Sequence, residues 1–276
     1  MIQMILLKFF IIFRTCYGTS DDLKKDLEKS WAEFDKQLKC DHLQYIGYNE
    51  GMEDDMDMHS KIKRQYLSSI NNIRNWHGVE PLKQNNELDV FAQSYANYEA
   101  RVERNVTFNS VFGLLLSSRP YLFSNDVGKK VPYELYRYFD DDDKPFDFEA
   151  NEDEMIKIEK YSWKCRLSTT IIWKSSINIG IGVAKKSETI NNRGKVDGNF
   201  YVIVAIIHPN SHVLGKYKEK ITPRNLEIMK HDGYFEFLQE AKKRDENMIK
   251  YDFLSYVKKL TGSSSKRNVS LEKKEN

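Results

Sequence analysis

Between residues 20 and 39, Leu23, Leu27, Trp31, Phe34 and Leu38 recur at three- and four-residue intervals with charges between them, which predicts a short amphipathic helix. The polar, acidic, glycine-bearing stretch 47–57 reads as a linker. From Ile62, the apolar positions Tyr66, Ile70 and Ile73 mark a second helix that stops near Gly78 and Pro81. A third, capped by Asn86, presents Leu88, Phe91, Ala92, Tyr95, Ala96 and Ala100 on one face. Residues 105–129 are mixed and read as loop. Pro132 fits the first turn of a helix through Tyr138, and 155–172 reads as one further helix. Two strand-like runs follow, 177–184 and 200–207, joined by a polar turn over 185–199. Residues 234–260 are amphipathic again, through Phe237, Leu238, Ala241, Ile249, Phe253, Leu254 and Val257, and 262–276 read as disordered. Helices followed by an antiparallel pair predict an α+β or layered α/β/α domain.

Composition narrows the class more than the chemistry. The 276 residues suffice for one domain with extensions or two small domains, and 40% hydrophobic with 30% charged residues is a globular balance. A net charge of +2 gives no footing for a nucleic-acid binder. Residues 19–57 carry 12 acids against 5 bases and 223–276 carry 12 bases against 9 acids, so both ends read as solvated flanks. The apolar run over 5–13 is too short to span a bilayer. It fits the apolar region of a secretory signal cut after Gly18, with Cys16 and Gly18 as the small residues at −3 and −1. Lys8 interrupts the run and no basic segment precedes it, so a buried N-terminal strand is the other reading. A secreted, extracellular protein without stable membrane insertion is the expectation.

Three cysteines do not make a disulfide scaffold. Cleavage after Gly18 leaves Cys40 and Cys165, either bridged or free. Asn105, in Asn-Val-Thr, and Asn268, in Asn-Val-Ser, are glycosylation acceptors on the secretory route. The aspartates at 140–143 lack the glycine and glutamate of a calcium loop and read as a solvated turn. His208 and His212 are four residues apart but flank Pro209 at a strand end, a poor ligand pair. Cys165 has no histidine close in sequence to activate it. His77, in Arg-Asn-Trp-His-Gly, is either a ligand or base, or a helix-end residue before a glycine stop.

Four motifs in order resolve that choice. The run I-N-N-I-R-N-W-H-G-V-E-P-L over 70–82 is followed by A-Q-S-Y-A over 92–96. Tyr133-Glu134-Leu135 comes next, then I-W-K-S-S-I-N-I-G-I-G-V-A over 172–184 and the strand ending in His208-Pro209-Asn210. Together they resemble the CAP superfamily: cysteine-rich secretory, antigen 5 and pathogenesis-related 1 proteins, also called SCP/TAPS or venom-allergen-like proteins. The resemblance covers 60–222. It implies a three-layer α/β/α sandwich there, after a signal peptide (1–18) and an acidic extension (19–59), and before a C-terminal extension (223–276), helical and then disordered. It also makes Arg74, His77 and Gly78 parts of a helix and its exit, so His77 is structural.

The family's chemically suggestive feature is a cleft with two histidines and two glutamates, a donor set suited to zinc or magnesium. In this chain the second glutamate matches Glu134. The first glutamate falls on Leu114, the second histidine on Leu167 and the first histidine near Glu103; no histidine lies between His77 and His208. The resemblance therefore implies a degenerate tetrad with no metal, no other cofactor and no catalysis. It leaves Glu134 protonated or paired, with Arg104 or Arg166 as partner. The expected role is an extracellular binding or interaction module. Its partner would be an extracellular protein or a small apolar ligand, a sterol or fatty acid, taken beside Leu114, Leu115, Leu116 and Leu167. Two rivals stand beside lipid binding: a metal-dependent hydrolase with displaced ligands, and a receptor-docking module working through its two extensions.

Overall fold

A computed structural model describes residues 21–40, 56–101, 113–122, 126–140, 146–161, 163–191, 194–210 and 215–246. The chain divides into two compact units, Met1–Asn225 and Leu226–Asn276. The first contains α1 (Asp21–Cys40), α2 (Met56–Trp76), β1 (Lys83–Gln84), α3 (Asn86–Arg101) and β2 (Gly113–Leu122). After these come α4 (Val127–Tyr136), extended by a 3-10 turn (Arg137–Asp140), α5 (Glu152–Tyr161) and α6 (Trp163–Ile172). Last are β3 (Asn178–Asn191), β4 (Gly194–His208) and the single turn α7 (Tyr217–Lys220). The second unit has a one-turn helix, α8 (Leu226–Met229), and a longer one over 234–246, in which the Tyr234 and Phe237 rings stack at 6.2 Å.

The sheet runs β1-β3-β4-β2, with β1 parallel to β3 and the other two pairings antiparallel. Alternation along β3 and β4 divides the core in two. Ala184, Val202, Val204 and Ile206 share one face with the Gly180 and Gly182 positions, in a cluster with Leu88, Phe91, Ala92, Tyr95 and Ala96 of α3. Ile179, Ile181, Val183, Ile203, Ala205 and Ile207 fill the opposite face, fully buried. On that side lie α2, α4 and α6; His59 of α2 sits 6.0 Å from the Tyr201 ring. Helices on both faces of the sheet make the α/β/α sandwich.

Gly180 and Gly182 are where α3 touches the sheet. A Cβ at Gly180 would fall within the Leu88 backbone, and one at Gly182 within the Ala92 carbonyl. That proximity lets two α3 side chains serve the β3 edge beyond the end of β1. Ile181 N–H donates to Asp89 Oδ1 at 2.6 Å, Val183 N–H donates to Gln93 Oε1 at 3.1 Å, and Gln93 Nε2 donates to the Val183 carbonyl at 2.6 Å. Helix side chains thus satisfy edge groups that a further strand would otherwise pair.

The helix α1 belongs to the same layer. Leu23, Leu27 and Phe34 are buried in the α3 cluster, with Phe34 edge-on to Phe91, Tyr95 and Tyr98 and Trp31 4.7 Å from Phe91. Asp26 Oδ2 lies 3.1 Å from His208 Nε2, joining α1 to the end of β4.

Several elements differ from the periodicity. Residues 113–122 are a strand, β2, because the outer edge of β4 takes a partner there; Arg119-Pro120 interrupts the apolar run at the register shift between Ser117 and Tyr121. The hairpin arms run to Asn191 and from Gly194, through residues whose polarity reads as turn. The segment 155–172 is divided between two helices, Glu152–Tyr161 and Trp163–Ile172. Pro132 lies inside α4 rather than in its first turn. Met56 and Asp57 already belong to α2. The cap of α3 is Asn85, whose Oδ1 accepts the N–H groups of Glu87 and Leu88 at 3.0 and 3.1 Å.

Candidate functional site

The exit of α2 is built from a buried cation and a glycine. Val79 N–H donates to the Arg74 carbonyl and Gly78 N–H to that of Asn75, with Gly78 at φ +61: a Schellman stop that only glycine closes without strain. Arg74, fully buried, donates to the carbonyls of Glu80 (2.7 Å), Ile171 (2.8 Å), Trp173 (3.1 Å) and Ser176 (3.0 Å). Burial lowers its guanidinium to about 10, which still leaves it charged at neutral pH. Asn71 pairs with both sides of the Leu82 peptide, at 2.8 and 3.1 Å, and so aligns the chain for β1.

His77 is enclosed one turn away. Its Nδ1 lies 2.5 Å from the Thr222 carbonyl and its Nε2 2.7 Å from the Tyr136 hydroxyl. A carbonyl only accepts, so Nδ1 carries the proton and Nε2 accepts from Tyr136. Arg224 in turn hydrogen-bonds Tyr136 and pairs with Asp140 at 2.5 Å. Burial first, then the Arg224 and Arg74 charges, hold the imidazole down at about 4, against the pull of the Thr222 carbonyl and of Asp140. A neutral, doubly engaged imidazole is a scaffold group.

The positions that the resemblance puts in a cleft fall on three elements that touch pairwise: Glu134 on α4, Leu167 on α6 and Leu114 on β2. Glu134 is 8% exposed and Leu167 is half-buried. Ser168 Oγ donates to the Leu135 carbonyl at 2.7 Å, pinning α6 to α4. Glu134 Oε2 pairs with Arg137 Nε at 2.8 Å, one turn along the same stretch of chain. Arg137 was not among the expected partners, Arg104 and Arg166; an i,i+3 residue reaches the carboxylate without crossing between elements. Among the described residues, no three His, Cys, Asp or Glu side chains gather closely enough to hold a metal ion. His208 is turned to Asp26. His212, Glu103, Arg104, Asn105, Asn268 and the segment 1–18 lie outside the described residues, as do the side chains of Leu114, Cys40 and Cys165.

Sequence reasoning missed Asp89 and Gln93, and it missed the Tyr136–Arg224–Asp140 group. The signal for the first pair was present: two polar residues at i and i+4 bordering the apolar face of α3, opposite two alternate strand glycines. The second group joins parts of the chain far apart in sequence and left no local trace.

A profile of the cysteine-rich secretory protein family matches residues 67–205, just over half of the chain. Among solved structures, similarity extends to "Crystal structure of NaASP2 with Zn2+" at 12% identity and TM-score 0.41, covering 64% of this chain and 89% of that one. It extends also to "Structure of BmVAL-1" at 17% identity and TM-score 0.36, covering 59% and 79%. A comparison with curated proteins finds no match. The profile spans the Arg74–Gly78 helix exit, the Glu134 segment and the paired glycines of β3, and this chain belongs to the cysteine-rich secretory protein, or CAP, family.

Proposed function

We propose that this CAP protein is a secreted, non-catalytic binding module whose cleft takes a sterol or fatty acid. The observation that carries this reading is the placing of Glu134: buried, with Arg137 Nε 2.8 Å from its Oε2, on a helix in contact with the one that carries Leu167 where the resemblance puts a histidine. One carboxylate beside a guanidinium is a poor start for a divalent-cation site, and leucine brings only hydrocarbon. Apolar lining with few polar groups suits a lipid. CAP proteins are in general not enzymes and are typically secreted, and among the described residues no helix is long and apolar enough to cross a membrane. In the same reading the segment 1–18 is removed as a signal peptide, Asn105 and Asn268 carry glycans, and Cys40 and Cys165 are available to pair in the oxidising route.

The test is a titration of the purified protein with a fluorescent sterol and, separately, a fluorescent fatty acid. Saturable binding of one of them, weakened at least tenfold by Leu167→Glu with an unchanged melting temperature, is expected, because a charge placed in an apolar site is costly to desolvate. Equal binding by the variant, or none by the wild type, refutes the lipid reading.

A further inference from the structure

The segment 215–225 crosses the end of α2 before the chain leaves the first unit at Asn225. Its first half is held by α5 and the core: Glu152 accepts the Tyr217 and Lys218 N–H groups at 2.9 and 2.8 Å, and the Tyr217 ring lies 5.3 Å from Trp173. Its second half hangs on the His77 group, through the Thr222 carbonyl and the Arg224 side chain, with Asn225 N–H donating to the Trp76 carbonyl at 2.6 Å. We propose that His77, Tyr136, Arg224 and Asp140 form an acid-released latch: protonation of His77 frees residues 221–225 while the sheet stays folded.

The hydrogen-bond directions make the group one-way. Arg224 donates to the Tyr136 oxygen, Tyr136 donates to His77 Nε2, and His77 Nδ1–H donates to the Thr222 carbonyl. A proton added at Nε2 turns the acceptor into a donor and deprives the Tyr136 hydroxyl hydrogen of its acceptor. The new charge would face Arg74 from α2 and Arg224 from the crossing segment. Asp140, in the 3-10 turn, is already paired with Arg224. From α4 comes Tyr136, a neutral hydroxyl. The remaining walls are aromatic: Phe139 and Phe148 stand 6.5 and 5.5 Å from the imidazole. Asp147 and Glu149, which flank Phe148, are exposed, and Glu149 lies 3.8 Å from Lys218. Two cations and one committed anion leave the imidazolium uncompensated, and water reaches it most directly by departure of the Arg224 segment. Burial of the neutral ring, which holds it to about 4 against an ordinary value of 6.5, places the release in acid.

Hydrogen exchange read by mass spectrometry on the full chain, corrected for intrinsic rates, tests this. Between about pH 7 and about pH 3.5, protection over 221–225 should fall tenfold or more, because each pH unit in which only the open form takes the proton adds a factor of ten to opening. Protection over 178–184 should hold. His77→Gln, whose amide can donate to Thr222 and accept from Tyr136 without titrating, should abolish the fall. Tyr136→Phe, which removes a bond that only the neutral ring accepts, should move the release to higher pH. Protection over 221–225 that persists in acid, or that falls together with 178–184, overturns the latch. So does an unchanged profile in His77→Gln, which would assign the transition to Asp140, or an unmoved midpoint in Tyr136→Phe should the glutamine variant not fold.

Discussion

Glu99 stands near the end of α3 with 7% of its surface exposed, and burial pushes its carboxyl up to about 7, against the pull of the Tyr95 hydroxyl and the Lys186 charge. In the unfolded chain the same group ionises near its ordinary 4.5. Between those values the folded state binds more protons, so this residue's contribution to stability is present below about 4.5 and is lost as pH rises through about 7. His77 works in the opposite direction, losing stability as pH falls from 6.5 through about 4, because there the unfolded chain binds the extra proton. The two trends offset one another over much of the interval. Glu99→Gln removes one of them. Relative to wild type, the variant should gain stability between about pH 5 and about pH 8, by up to about 3 kcal/mol, in urea unfolding at the two pH values. Parallel pH dependence in the two proteins would contradict the assignment. Among single residues, Arg74, His77 and Gly78 were legible in advance as a helix exit, because their spacing belongs to one motif. The pairing of Glu134 with Arg137 was not, because an i,i+3 carboxylate and guanidinium recur on many exposed helices and carry no mark of a cleft.

At the scale of elements, the helices announced themselves through apolar spacing, whereas the contact of α3 with β3 at Gly180 and Gly182 is a finding of the structure. What lies between them was set by backbone proximity. A Cβ on Gly182 would stand 2.6 Å from Gln93 N and closer still to the Ala92 carbonyl. These are backbone atoms of a helix that is itself hydrogen-bonded to the strand through Gln93, so they cannot yield as a side chain would. Gly182→Ala should therefore already cost about 3 kcal/mol or more, at or beyond the upper end of ordinary overpacking, measured as a shift in denaturant midpoint. An alanine variant with the wild-type midpoint would show that α3 does not rest on the strand. The strand β2 stayed hidden because its apolar run is broken by Arg119-Pro120 and its partner, β4, is far away in sequence, Leu122 pairing with Phe200 and Gly113 with Ile207. Pairing of that kind is decided by the open edge of β4, and local pattern carries no record of it. The converse held for α1: its apolar stripe was evident, but only the structure shows that Phe34 and Trp31 cover Phe91 on α3.

Across the whole molecule, the sandwich is held by polar groups at its seams as much as by its two apolar faces. Arg74 ties α2 to the residues leading into β3, Asp89 and Gln93 close the sheet edge, and Asp26 joins α1 to His208. In the proposed reading, the cleft holds Glu134, 2.8 Å from Arg137, with Leu167 on the adjoining helix, in place of a full set of metal donors. Zinc sites in proteins use three or four ligands, and one matched carboxylate falls short of that count. Isothermal titration of the purified full chain with zinc tests it most directly. The account predicts no saturable heat up to about millimolar zinc, with Glu134→Gln indistinguishable from wild type. A one-to-one site of about micromolar affinity that disappears in Glu134→Gln would contradict it.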